Sequence, residues 1–165
     1  MYGEAILYEH PKSGRRLVVK RVPIDILQPH EVDSTLREVL ALRLLKHPNI
    51  VTYIDSWAAT AAHGCIRLDG LPAANAGADH IQALKERICA PQPSGASTTV
   101  INMATEYVDG GSLDKLIQRN SAAPLEEMLI SLWFAQMVLA VSHMHDAGLL
   151  HRDLKVRLPR TWPAA

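Results

Sequence analysis

The chain has 165 residues, 48% of them hydrophobic, and its 17 Lys+Arg balance 17 Asp+Glu. That length suffices for one domain with a real core. A net charge of zero gives no footing for a nucleic-acid or membrane-surface role. Cys65 and Cys89 lack metal-type spacing, and His63-Gly64-Cys65 has no second half to complete a zinc site. Reduced thiols suit the cytosol or nucleus. Met1-Tyr2-Gly3-Glu4 has neither the basic start nor the apolar core of a signal peptide.

Residues 4–8 and 16–22 are short runs rich in Val, Ile, Leu and Tyr, and the turn cluster His10-Pro11-Lys12-Ser13-Gly14 between them predicts a hairpin. Over 29–46 the period becomes helical. Val32, Leu36, Val39 and Leu40 form one apolar stripe, with Glu38, Leu42 and Leu45 on an adjacent one. His47-Pro48-Asn49 ends this helix, because the residue before proline avoids helical angles. Residues 50–57 read as a strand. Residues 58–100 are rich in Ala, Gly, Pro and Ser with little periodicity; 81–88 could form two helical turns, and the rest is expected to be a mobile surface insertion. A strand follows over 99–108, broken by Asp109-Gly110-Gly111, and Ser112 is placed to cap a short helix through Gln118. Pro124 opens a long helix to Ala147, with Glu126 and Glu127 complementing its dipole and Gly148 as a stop. Its most apolar part, 128–141, is interrupted by Ser131 and Gln136 and is shorter than the ~20 residues of a membrane span, which predicts a buried core helix. There is no internal repeat. Leading strands followed by helices give an α+β arrangement.

Lys20 closes the apolar run Leu17-Val18-Val19-Lys20, where a strand-end lysine reaching solvent is ordinary. Glu38 lies on a helix face expected to be buried, and a carboxylate there is costly unless paired. Lys20 is a candidate partner. A capping box with Thr35, in the pattern T-x-x-E, is the alternative, and these residues alone leave both readings open. His143 and His145 read as helix-end histidines near the negative end of the dipole. Asp153 taken alone could cap local backbone donors.

His151-Arg152-Asp153-Leu154-Lys155 resembles the catalytic loop of eukaryotic protein kinases. Four further runs fall in that family's order. Leu17-Val18-Val19-Lys20 resembles its V-A-I-K strand, and Arg37-Glu38-Val39 its helix glutamate. His47-Pro48-Asn49-Ile50-Val51 resembles the loop after that helix. Thr105-Glu106-Tyr107-Val108-Asp109-Gly110-Gly111-Ser112-Leu113 resembles the hinge. The resemblance covers residues 1–155 as a partial kinase domain: a small-lobe antiparallel sheet with one helix, then the first helices of the large lobe. Residues 58–98 are its surface insertion and 156–165 a tail unlike the family. It implies a Ser/Thr kinase that transfers the γ-phosphate of ATP to protein hydroxyls. Lys20 would hold the α- and β-phosphates with Glu38 fixing it. Gly3, Ala5, Val18 and Ser112 would line the nucleotide pocket, with Thr105 as gatekeeper and the backbone of Glu106 and Val108 on the adenine edge. Asp153 would accept the hydroxyl proton, Lys155 would neutralise the transferring phosphoryl, and Lys155 after Leu154 favours Ser/Thr specificity. Glu106 to Leu113 and the run Tyr53-Ile54-Asp55-Ser56-Trp57 look most like NIMA-related kinases, while the insertion looks like that of the stress-sensing initiation-factor kinases.

The sequence also departs from the family. Only the last glycine of G-x-G-x-x-G is present, as Gly3, and Ala5 stands where Val is usual. Leu158 occupies the place of the magnesium-binding Asn, and no Asp-Phe-Gly follows. The family's magnesium ligands are therefore absent and no other metal site is expected. Loss of one charge-stabilising donor costs ~10²–10³ in rate, so activity is expected to be impaired. The chain reads as a fragment whose long apolar helix would lack neighbours and stay exposed. The alternative is a non-catalytic module that binds nucleotide weakly or docks on another kinase. The expected partners are a protein substrate or another kinase, with no nucleic acid and no membrane.

Overall fold

The computed structural model describes residues 3–25, 28–60, 64–68, 78–90, 98–120 and 125–151. They fall into two compact units, residues 1–44 with 53–107 and residues 45–52 with 108–165.

The first unit is a five-stranded antiparallel sheet. Strands β1 (Glu4–Glu9), β2 (Arg16–Asp25), β3 (Tyr53–Thr60), β4 (Gly64–Arg67) and β5 (Thr98–Glu106) lie in the order β1-β2-β5-β3-β4. The expected hairpin is present. The His10 N–H donates to the Arg15 carbonyl at 2.8 Å and the Gly14 N–H to the His10 carbonyl at 2.9 Å, closing a loop in which Gly14 has φ +64°. That angle is cheap only for glycine. Strand β2 runs beyond its expected end and includes Pro23. The pairing with β1 stops at Glu4 opposite Arg21. Pro23 therefore has a strand neighbour on one side, β5, and the missing N–H is tolerated. Lys20 consequently sits within the strand, not at its end.

Helix α1 (Pro29–Leu44) lays Val32, Leu36 and Val39, all with no exposed area, against Val22, Ile24, Ile101 and Met103 of the sheet. The first stripe is thus the core face. The second is not: the helix ends at Leu44, so Leu45 is buried outside it, and the Glu38 side chain is 45% exposed. Thr35 is six residues inside the helix and its hydroxyl donates to the Glu31 carbonyl one turn back, at 2.9 Å, which rules out the capping box.

The region expected to be a surface insertion contains more regular structure than its composition suggests. Strand β3 continues to Thr60, β4 pairs with it, and helix α2 (Ala78–Ile88) follows. Ile66, Leu68, Leu84 and Ile88 join the same core as α1. Ile81, Leu84 and Ile88 fall at the helical spacing i, i+3, i+7, as the expected turns over 81–88 require, whereas Ile66 and Leu68 carry no such signal.

The second unit holds α3 (Leu113–Arg119), α4 (Glu127–Asp146) and the turn 45–52. Ser112 occupies the N-cap position of α3 with extended angles, though its side chain makes no capping bond. Helix α4 begins at Glu127 instead of Pro124, which lies outside the described residues, and Gly148 at φ +71° stops it. The turn is docked on α4. Asn49 Nδ2 donates to the Gln136 carbonyl at 3.2 Å, and the His47 and His143 rings stack with centroids 5.3 Å apart. The stripe Leu129, Trp133, Met137, Val141 is covered, with Trp133 fully buried, whereas Met128, Leu132, Phe134 and Leu139 are each more than half exposed. Helix α4 is therefore not the buried core helix expected from its most apolar stretch, and the exposed apolar face expected for want of neighbours is present. At 20 residues it is also long and apolar enough, by length and composition, to cross a membrane.

Truncating Leu36 to Ala should cost about 2–5 kcal/mol, since it removes a fully buried side chain. Leu139→Gln on the exposed side of α4 should stay within about 0.5 kcal/mol. Urea denaturation of the two variants checks this; equal losses would contradict the core described.

Candidate functional site

Strand register decides which side chains share a face. Ala5 pairs with Lys20 and Lys20 with Met103; Leu7 pairs with Val18 and Val18 with Thr105. Residues directly opposite in a ladder point to the same side, as do residues two apart. Ala5, Val18, Lys20 and Thr105 therefore project from one face, the face on which α1 packs through Val22, Ile24, Ile101 and Met103. Val19 and Ala104 project from the other.

On that face Lys20 Nζ donates to Glu38 Oε1 at 2.5 Å. Their side chains are 43% and 45% exposed, so both charges keep water and neither carries the cost of a buried ion. The pair opens on a cleft of about 290 Å³ lined by Lys20, Val22, Pro23, His30, Glu31 and Glu38, among others. Such a lysine is anchored on one side by a carboxylate while its remaining N–H groups stay free to donate to anionic oxygens.

Two contacts invisible at the level of motifs hold the frame. The Arg16 guanidinium lies over the Tyr107 ring, 4.5 Å from its centroid, at the end of the ladder where Leu17 faces Glu106. Helix α1 is tied at both ends: the Asp25 N–H donates to Glu31 Oε2 at 3.3 Å, and Arg43 Nη1 to the Leu68 carbonyl at 3.1 Å. No local pattern announces partners 25 or 91 positions apart.

Gly3 has a packing reason of its own. A Cβ there would meet the Arg21 carbonyl oxygen at 2.6 Å, so the strands approach too closely for any other residue. Val108 and Ser112 are half-buried in the second unit. His151, exposed, is the last described residue; Asp153, Lys155 and Leu158 lie outside the described residues. Among the described residues no three His, Cys, Asp or Glu side chains cluster to hold a metal ion. Leu158, at the expected metal-binding position, has no side-chain oxygen. The residues in hand do not fit a magnesium site, and no step is derived through one.

Cys65 is exposed, while Cys89, at the end of α2, is partly covered. Burial pushes the Cys89 thiol up from its ordinary range; Lys85 pulls the other way and Asp33 adds to the rise. The thiolate is the reactive form, so at pH 8 iodoacetamide should modify Cys65 before Cys89, as read by peptide mass spectrometry. Equal rates would contradict the burial of Cys89.

The protein kinase domain family matches residues 1–157. Serine/threonine-protein kinase Nek1 of Mus musculus is 29% identical over 154 residues, which cover 93% of this chain and 10% of the relative. Serine/threonine-protein kinase Nek9 of Xenopus laevis is 31% identical over 156 residues, covering 93% and 12%. MAP3K epsilon protein kinase 1 of Brassica napus is 23% identical over 154 residues, covering 93% and 9%. The chain thus spans about a tenth of the length of these relatives. A lysine–glutamate pair between sheet and helix, in a domain matched from residue 1 to residue 157, fits one conclusion: the chain belongs to the protein kinase domain family.

Proposed function

We propose that this chain binds ATP on the sheet face that carries Lys20 and transfers its γ-phosphate to protein hydroxyls, at a rate weakened by Leu158. The observation that carries this reading is the Lys20–Glu38 pair on the same face as Ala5, Val18 and Thr105. In this reading Lys20 holds the α- and β-phosphates and Glu38 keeps it in place. Ala5 and Val18 supply apolar contact to the base, Thr105 closes the back of the pocket, and the backbone of Glu106 and Val108 meets the adenine edge. Asp153 accepts the proton of the acceptor hydroxyl and Lys155 offsets charge on the transferring group. Transfer of this kind depends on positioning and electrostatics, so a leucine where a metal-binding side chain is expected lowers rate more than nucleotide affinity. The partly covered thiol Cys89 and the exposed thiol Cys65 suit a reducing compartment, the cytosol or nucleus.

A second reading draws on the exposed side of α4, where Met128 is 78% and Phe134 64% exposed. A contiguous apolar face of that kind marks an interaction surface, and a non-catalytic module that docks on another kinase would use it.

Two measurements separate the readings. ATP binding followed by calorimetry should be lost in Lys20→Met and kept in Asp153→Asn. Phosphoryl transfer to a generic basic protein, however slow, should vanish in Asp153→Asn. ATP binding unchanged by Lys20→Met would sink the first reading. ATP binding without transfer in the unsubstituted chain, with a kinase recovered on α4, would favour the second.

A further inference from the structure

Helix α1 carries Glu38 on one flank and Asp33 on the other. Five residues at 100° each place them about 140° apart around the helix axis, on either side of the core stripe Val32, Leu36, Val39. Glu38 meets Lys20 of β2, and Asp33 meets Lys85 of α2 at 3.0 Å. The second pair is the better covered of the two, its lysine and aspartate side chains 21% and 37% exposed. From the same helix α2, Leu84 and Ile88 enter the cluster that contains the α1 stripe. Helix α1 is thus held between the sheet and α2.

An ion pair as exposed as Lys20–Glu38 contributes little free energy of its own and cannot fix the rotation of a 16-residue helix. A rotation of α1 that withdrew Glu38 from Lys20 would also draw Asp33 away from Lys85 and unseat Leu84 and Ile88. We propose that α2 is a built-in positioning element: Lys85, acting through Asp33, holds α1 in the orientation that keeps Glu38 opposite Lys20. Lys85 and Asp33 are positioning residues, since neither touches the nucleotide face. The inference deepens the reading of Lys20 and Glu38 as a nucleotide-holding pair and rests on it.

A zero-length carbodiimide crosslink between Lys20 and Glu38, quantified by peptide mass spectrometry on the full chain, reports their contact directly and needs no nucleotide. It therefore reads the hold of α2 on Glu38 whether or not ATP binds. Lys85→Met and Asp33→Asn should lower the yield about five-fold or more, with the circular dichroism spectrum unchanged. Lys46→Met, at an exposed lysine of the second unit, should leave it as it was. The charge-exchanged double variant Lys85→Glu with Asp33→Lys should restore the yield, which a merely destabilising effect would not do. Unchanged yield in both single variants, or a loss that the exchanged pair fails to restore, would overturn the inference.

Discussion

The Lys20–Glu38 ion pair is held in place by the structure around it, and that dependence orders the whole first unit. Each partner keeps more than two-fifths of its side-chain area in water, and exposed pairs contribute about 0–1 kcal/mol. The free energy that brings them together comes from elsewhere. Val32, Leu36 and Val39 bury fully against Val22, Ile24, Ile101 and Met103, and that packing sets the distance between α1 and β2. The pair is a consequence of the core and is left free to do chemistry. Partial exposure suits that role: the ammonium has three N–H donors, Glu38 Oε1 accepts one, and the open side leaves an anion access to the others.

Register does the rest. Antiparallel pairing of β1 with β2 and of β2 with β5 places Ala5, Val18, Lys20 and Thr105 on one face through backbone hydrogen bonds alone. A slip of one residue would send all of them to the opposite side. The Gly14 turn fixes the first pairing, and the close approach at Gly3, where no Cβ fits against the Arg21 carbonyl, limits where the strand can begin. The Arg16–Tyr107 stack sits at the far end of the second ladder. The face is defined by backbone geometry at several points, so single surface substitutions should not erase it.

Much of this was legible in the residues themselves. Turn chemistry between two β-branched runs gave away the first hairpin, and a 3.6-residue stripe gave away the core side of α1. The partnership of Lys20 with Glu38 was legible only as one of two options, and the other fell because Thr35 lies mid-helix and bonds back to the Glu31 carbonyl. Glu38 was assigned to a buried face because Leu42 and Leu45 extended its stripe; Leu42 does pack against the core and Leu45 is buried just past the helix end, but the Glu38 side chain itself stays 45% exposed. Helix α2 was legible only as two helical turns over 81–88, and strand β4 was not legible at all, because Ile66 and Leu68 stand alone among polar residues. Their burial is a tertiary fact. Helix α4 was legible in part: its most apolar stretch suggested a buried helix, while the want of neighbours pointed to an exposed apolar face, and the turn at His47 and Asn49 leaves Met128, Leu132, Phe134 and Leu139 more than half exposed. Asp153, Lys155 and Leu158 rest on motif alone, since they lie outside the described residues.

The central claim is that ATP meets one particular face of the sheet, and side-chain methyl resonances during an ATP titration test it most directly. The methyl groups of Ala5, Val18 and Thr105 should shift together and saturably, while those of Ile6, Val19 and Ala104, which the same ladders place on the opposite face, should stay put. Equal shifts on both faces, or shifts confined to Ile6, Val19 and Ala104, would contradict the account.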